Sequence, residues 1–238
     1  MTTGANLNRR VAQTAVFLER YALSLVFLAM AGVRLHHLIA LDPAERAAIA
    51  AAPLVEVLRQ VIWVQLYIYV GLMLLLGRRV TVPPRSFADL ILPLATTFFN
   101  LAYSAVPSFP AGLTASLCPP GWQAAGAVAG FILNLAGLLI SIWAAVCLGR
   151  SFSVWIEVRK VVLEGAYRRV RHPMYLGYLC FLAGVALANF SAAYLSLVIL
   201  HTALLLYRAR LEEKRLAEAS PEYREYCKHS GFIFPRFR

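Results

Sequence analysis

The sequence predicts an all-α integral membrane protein of about six transmembrane helices, with both termini cytoplasmic. Three observations carry this. Hydrophobic residues make up 60% of the 238 positions and charged residues 15%, against about 45–50% and about 25% in ordinary globular chains. The mean hydropathy is +0.65 and the mass 26.3 kDa; a chain this small cannot bury so much apolar surface in its own interior, so lipid must solvate part of it. Finally, 20 of the 23 Lys and Arg residues fall in four short segments that six spans would place on one side.

Taken in order, the apolar runs are about 20 residues long, the length a spanning helix needs. The first covers roughly 21–40 and reads as a retained span, because its apolar stretch continues past the A-x-A-like Ala29-Met30-Ala31. The second covers roughly 57–77, the third 87–106 and the fourth 124–148. The fifth and sixth are shorter, roughly 174–188 and 193–207, and the turn-like Asn189-Phe190-Ser191 between them predicts a tight helical hairpin. The basic segments are the N-terminus (Arg9, Arg10, Arg20), the loop with Arg78, Arg79 and Arg85, residues 150–172, and the tail beyond 207. The opposite side carries an acidic loop with Asp42, Glu45 and Glu56, and the uncharged loop from Pro107 to Trp122. Composition divides the chain into a four-span region, 1–148, and a C-terminal region, 149–238, dense in ionisable groups.

A net charge of +11 would suggest nucleic acid as a partner of a soluble protein. Here the cations flank apolar runs, so no nucleic-acid partner is expected. The four cysteines are scattered without a C-x-x-C, which predicts neither a disulfide framework nor a zinc site. No metal is expected.

Polar groups near a membrane mark function, and they converge in the last third. In Arg171-His172-Pro173-Met174-Tyr175-Leu176-Gly177, the proline pushes His172 out of helical backbone and opens span five. His172 is then the N-cap at the cytoplasmic surface, and the first turn offers backbone N–H groups to an anion. Taken alone, this stretch reads as an interfacial anchor of basic residues and tyrosine. In Tyr207-Arg208-Ala209-Arg210-Leu211-Glu212-Glu213, Arg208 and Glu212 share a helix face, and Glu213 is one step round. Taken alone, this is a solvated exit helix. The hairpin changes the reading. It brings His172 and Tyr175 opposite Arg208, Glu212 and Glu213 in one cleft, a costly cluster at a membrane boundary. The segment Lys160–Tyr167 could cover a bound ligand, and Ser220-Pro221 opens a short tail helix that Gly231 closes.

Several motifs in order therefore stand together: Glu164-Gly165-Ala166-Tyr167, then Arg171-His172-Pro173-Met174-Tyr175-Leu176-Gly177, a membrane hairpin, Arg208 with Glu212-Glu213, and Pro221-Glu222-Tyr223-Arg224-Glu225-Tyr226. From about Gly149 to the C-terminus the chain resembles the isoprenylcysteine carboxyl methyltransferases and related phospholipid methyltransferase-like membrane enzymes. The resemblance implies S-adenosylmethionine as methyl donor, with S-adenosylhomocysteine as product. The hairpin and tail would form its site on the cytoplasmic side. By motif match, His172, Tyr175 and Glu213 contact the donor, together with Arg171 and Gly177 from the same motif. Val161, Val162, Gly165 and Tyr167 lie against it, partly through backbone. Arg208 and Glu212 are the catalytic pair that aligns the acceptor. These chemistries agree with the residue types: a carboxylate suits a helix N-terminus and cations, and a sulfonium suits aromatic faces.

The resemblance favours a lipophilic acceptor of the isoprenylcysteine carboxylate type. Phospholipid amines and small thiols are the alternatives, and an Ala/Leu/Arg-rich chain suits a bacterial inner membrane. The contrasting class is a transporter or structural membrane subunit. Arg34, His36, His37, Asn100, Asn134 and His201 would then be polar steps along a pathway, although helix–helix contacts explain such residues better. A transporter should also show repeats and broken mid-membrane helices, whereas here the polar density lies at one surface.

Overall fold

The computed structural model describes residues 13–39, 64, 67–78 and 80–236. The regular structure of the described residues is helical, joined by loops that carry isolated bridges. They fall into two compact units, Met1–Arg79 with Gly149–Ser153, and Val80–Leu148 with Val154–Arg238.

In the first unit a π-helical stretch, Leu18–Leu23, leads into α1, Ser24–Ile39. Residues 67–75 are helical. Backbone donors and acceptors near the ends of these elements are satisfied by Arg150, whose Nε donates to Leu76 O (2.7 Å) and whose carbonyl accepts from Arg78 N (2.7 Å). Glu19 is fully buried and accepts from Ser153 Oγ at 2.7 Å.

The second unit is built on α2 (Ala88–Phe98), the short α3 (Asn100–Ser104) and α4 (Ala111–Thr114), the long α5 (Pro120–Leu148), α6 (Pro173–Ala188), α7 (Ala192–Ala219) and α8 (Pro221–His229). α6 is apolar around its whole circumference, so it must be covered on every side by helices or lipid. Its closest partner is α5, which runs antiparallel to it through glycines. A Cβ on Gly130 would meet Gly184 O at 2.5 Å and Ala188 N at 2.8 Å, and one on Gly177 would meet Gly137 O at 2.5 Å and Ser141 N at 2.7 Å. Small residues let the backbones approach, and Asn134 Nδ2 ties the pair by donating to Phe181 O at 2.6 Å. Asn189 ends α6, and the Ser191 hydroxyl caps α7 by accepting from Tyr194 N.

Three described helices are long and apolar enough to cross a membrane, Gln13–Val33, Pro120–Ser151 and Ala192–Ala219. Ala88–Tyr103 and Pro173–Ala188 are shorter apolar helices. These match the expected first, fourth and sixth runs, then the third and fifth. The expected second run, 57–77, and the acidic loop lie partly or wholly outside the described residues, as do Arg9, Arg10, Arg79 and Arg238. The expected sixth run stops near 207, and the exit helix expected beyond it continues unbroken to Ala219.

The polar end of α7 is joined to the start of α2 by charge. Asp89 is 1% exposed, receives Arg215 Nη2 at 2.9 Å, and accepts from the backbone N–H groups of Arg85 (2.8 Å) and Ser86 (3.0 Å). Replacing Asp89 by Ala removes both the buried ion pair and these backbone acceptors. The expected cost is about 3 kcal/mol, read as a lowered thermal midpoint of the detergent-purified protein. An unchanged midpoint would show that the pair is energetically neutral.

Candidate active site

The site begins where Pro173 starts α6. His172 is its N-cap, with φ −125° and ψ 60°, the non-helical backbone expected of a residue before proline. The tail folds back on this point: Gly231 N donates to Arg169 O (3.0 Å), Arg171 N to Gly231 O (2.9 Å), and His172 N to Phe232 O (3.1 Å). The preceding segment is clamped from the other side. Tyr226 Oη donates to the carbonyls of Tyr167 and Val170. Gly165 adopts φ +59°, in the left-handed region, and a Cβ there would meet Cys147 Sγ at 2.6 Å. Ala166 N donates to that same sulfur, and Ala166 and Tyr167 pack with Ala144, Val162 and Met174. α8 is capped as expected, the Ser220 hydroxyl accepting from Tyr223 N at 3.1 Å. It ends at His229, with Ser230 as C-cap.

Two linked clusters result. In the first, Glu213 pairs with Arg171 and lies 3.5 Å from His172 Nε2. The His172 ring stands edge-on to Phe232 at 5.1 Å and beside Tyr175 at 5.3 Å. Arg171 is more committed than expected from the sequence: its Nη1 also donates to Cys227 O and Ser230 O, both at 3.0 Å, so it fastens the tail to the start of α6. Burial pushes the Tyr226 hydroxyl up to about 12 and also raises the Cys227 thiol, so both stay protonated near neutral pH.

In the second cluster, Tyr175 Oη donates to Glu212 Oε1 at 2.6 Å, and Arg208 Nε donates to the same oxygen at 2.9 Å. The guanidinium carbon lies 5.9 Å from the Tyr175 ring centre. Arg208 is held on two further sides, by Thr96 Oγ1 (3.0 Å) and Val154 O (2.7 Å). The structure thus brings together His172, Tyr175, Arg171, Glu213, Arg208 and Glu212, as the hairpin logic predicts. Tyr167 packs with Val162 and with Met174 of α6's first turn, and Gly165 lies against Cys147. Val161 is half-buried in the same segment. Gly177 lies in the α5–α6 seam, where its lack of a side chain serves packing.

Two participants escaped the sequence reading, Thr96 from α2 and Val154 from the loop after α5. The only hint was a Thr pair inside an apolar run. Phe232 and Tyr223 come from the tail, whose aromatics the sequence offers either as a cover for the cleft or as a contact with the bilayer surface. Among the polar residues that a transport pathway would need, three make helix–helix contacts: Asn134 to Phe181 O, Asn100 Oδ1 from Tyr178 Oη at 2.8 Å, and His201 Nε2 to Thr96 O at 3.0 Å. The side chains of Arg34 and His37 lie outside the described residues.

The first cluster holds buried polar atoms that a ligand could satisfy. Among the described residues, Tyr223 is buried and its hydroxyl makes no well-formed hydrogen bond, with the Cys227 thiol as its polar neighbour, and His172 Nε2 is buried without a well-formed one. Orphaned buried polar atoms are rare because each costs about 1–3 kcal/mol. Both border Glu213, the Tyr223 hydroxyl close enough to feel its charge. A ligand with hydroxyl, ammonium and carboxylate groups would satisfy them, and the His172, Tyr175 and Phe232 rings offer faces to a sulfonium.

Residues 125–220 match a family model described as phospholipid methyltransferase. A methanethiol S-methyltransferase from a Pseudomonas sp. strain is 31% identical over 152 residues, which cover 60% of this chain and 52% of that protein. The methanethiol S-methyltransferase of Pseudomonas deceptionensis is 38% identical over 73 residues, 30% of this chain and 27% of that protein. The chain therefore spans about half the length, or less, of these curated relatives. The stretch that matches the phospholipid methyltransferase model contains His172, Tyr175, Arg208, Glu212 and Glu213.

Proposed function

We propose that this chain is an integral membrane methyltransferase that uses S-adenosylmethionine and methylates a small thiol at the cytoplasmic face of a bacterial inner membrane. The observation that carries this is the pairing of the two clusters. One is a carboxylate–imidazole–aromatic group suited to the donor, and the other is an arginine held on three sides beside it. The likeness to two methanethiol S-methyltransferases moves the acceptor from the isoprenylcysteine carboxylate expected from the motifs to a thiol. The basic segments around 150–172 and beyond 207 support a cytoplasmic cleft, and the six-span topology with both termini inside remains the reading that accounts for them.

Bound against His172, Tyr175, Glu213 and the Val161–Tyr167 segment, S-adenosylmethionine would supply an electrophilic methyl group on a sulfonium sulfur. Everything else falls to the chain. The Arg208 guanidinium favours the thiolate over the thiol, because an adjacent cation lowers a thiol pKa. The proton leaves to solvent. Arg208 would hold the thiolate facing the methyl group that the bound donor would supply for transfer. Glu212 holds Arg208 and Tyr175 in place on this side of the cleft. Most of the acceleration is positioning and exclusion of water.

The donor half is tested by titration calorimetry of the detergent-purified protein with S-adenosylhomocysteine. Wild type is expected to bind. His172→Ala and Glu213→Gln are each expected to weaken binding by about 10-fold or more, since each removes a hydrogen bond or charge contact of about 1.5–3 kcal/mol. No binding in a well-folded sample would overturn the methyltransferase reading. The acceptor half is tested by supplying methanethiol, a farnesylcysteine analogue and phosphatidylethanolamine vesicles with labelled donor, and transfer to methanethiol alone is expected.

A further inference from the structure

We infer that Thr96, on α2, is a positioning residue for methyl transfer: its hydroxyl sets the angle at which Arg208 presents its guanidinium to the acceptor. The inference rests on the proposed role of Arg208.

Arg208 projects from α7, a single helix that cannot orient a long flexible side chain by itself. Its three hydrogen-bonding sides are taken by different elements: Nε by Glu212 on its own helix, Nη2 by Val154 O in the loop after α5, and Nη1 by Thr96 Oγ1. The first is an i, i+4 contact that travels with α7. The other two tie the guanidinium to α2 and to the loop after α5.

Thr96 is prepared for this role in two ways. Its hydroxyl hydrogen is directed to the carbonyls of Leu92 and Pro93, both at 3.0 Å, so the oxygen presents lone pairs to Arg208. Its own carbonyl accepts from His201 Nε2 at 3.0 Å, which pins that turn of α2 to α7. The residue is 1% exposed.

Pro93 explains the second tie. Proline has no N–H, so the Asp89 carbonyl loses its helical donor four residues on. That carbonyl instead accepts from Ile156 N at 3.1 Å. The interruption in α2 thereby docks the loop that carries Val154, and the pairing of Val82 with Val158 holds its far end. One helix thus supplies Thr96 directly and places Val154 through Pro93. Its charged start is anchored to α7 by Asp89 and Arg215. An apolar span with an internal proline and a threonine reads as ordinary membrane packing; its contacts give it a function at the site.

The test uses full-length protein in detergent, with methanethiol as acceptor and S-adenosylhomocysteine binding as an independent readout of fold and donor site. Thr96→Val keeps the shape and removes the acceptor atom, and is expected to lower kcat/KM for methanethiol by about 10-fold. Thr96→Ser should restore it to within about 3-fold, and neither should move S-adenosylhomocysteine affinity by more than about 2-fold. In an Arg208→Ala background, Thr96→Val should cause no further loss, because both act through one guanidinium. Wild-type activity in Thr96→Val, equal losses in the Ser and Val variants, or additive losses in the double variant would each overturn the positioning role. Activity retained in Arg208→Ala would instead overturn the reading of Arg208 itself, and so separates the two failures.

Discussion

Arg208→Ala is expected to lower methyl transfer by about 10²–10³-fold, the loss seen when one preorganised electrostatic contact to reacting atoms is removed. Affinity for S-adenosylhomocysteine should stay within about 2-fold of wild type, because the proposed donor cluster is built on Glu213, His172 and Phe232, while Arg208 is tied to Glu212, Thr96 and Val154. Glu212→Gln should follow the same pattern with a smaller loss. It keeps the size of the side chain but replaces a charge-assisted bond to Arg208 Nε with a neutral one. Single-turnover transfer and calorimetry on the same preparations separate the two effects. Parallel loss of donor binding in both variants would sink the division into a donor side and an acceptor side.

The second large effect is structural. Gly177→Val is expected to destabilise the α5–α6 pair by about 3 kcal/mol or more, at or above the upper end of ordinary overpacking. The obstacle is main chain on main chain. A Cβ at Gly177 would stand 2.5 Å from Gly137 O and 2.7 Å from Ser141 N, and neither can swing aside as a side chain does. The helices must part, which also strains the Asn134–Phe181 hydrogen bond. Activity should fall with stability, because His172 and Tyr175 sit on the first turn of the displaced helix. Gly112→Ala is the control, since a Cβ there has nothing within 4 Å. Thermal melting in detergent should show a large drop for Gly177→Val and almost none for Gly112→Ala. Equal melting of both would mean that the seam opens at little cost.

Gly177 also illustrates how sequence and structure diverge. Within the motif it reads as part of the donor site, since it stands two residues after Tyr175 and four after Pro173. Successive helix positions point in different directions, however, and Gly177 falls on the face that meets α5. Arg171 diverges in a different way. It pairs with Glu213 beside His172, but two of its bonds go to main-chain carbonyls of the tail, 56 and 59 residues on.

What the sequence determined by itself is the part governed by local rules. Apolar run length identifies the helices that lipid or neighbours must cover. Pro173 sets the start of α6, Asn189 to Ser191 the turn, and Ser220-Pro221 the start of α8, because proline and capping residues act within a turn of themselves. The meeting of His172 and Tyr175 with Arg208, Glu212 and Glu213 was also legible, since a short turn forces two helices to lie side by side and the spacing then selects their ends. Tertiary structure alone decided the rest. Thr96 meets Arg208 across 112 positions, Arg215 meets Asp89 across 126, and Val154 meets Arg208 across 54. No periodicity encodes such pairs. They depend on which face α2 turns toward α7, and that is set by the summed packing of both helices, with Pro93 releasing the one carbonyl that docks the loop between them.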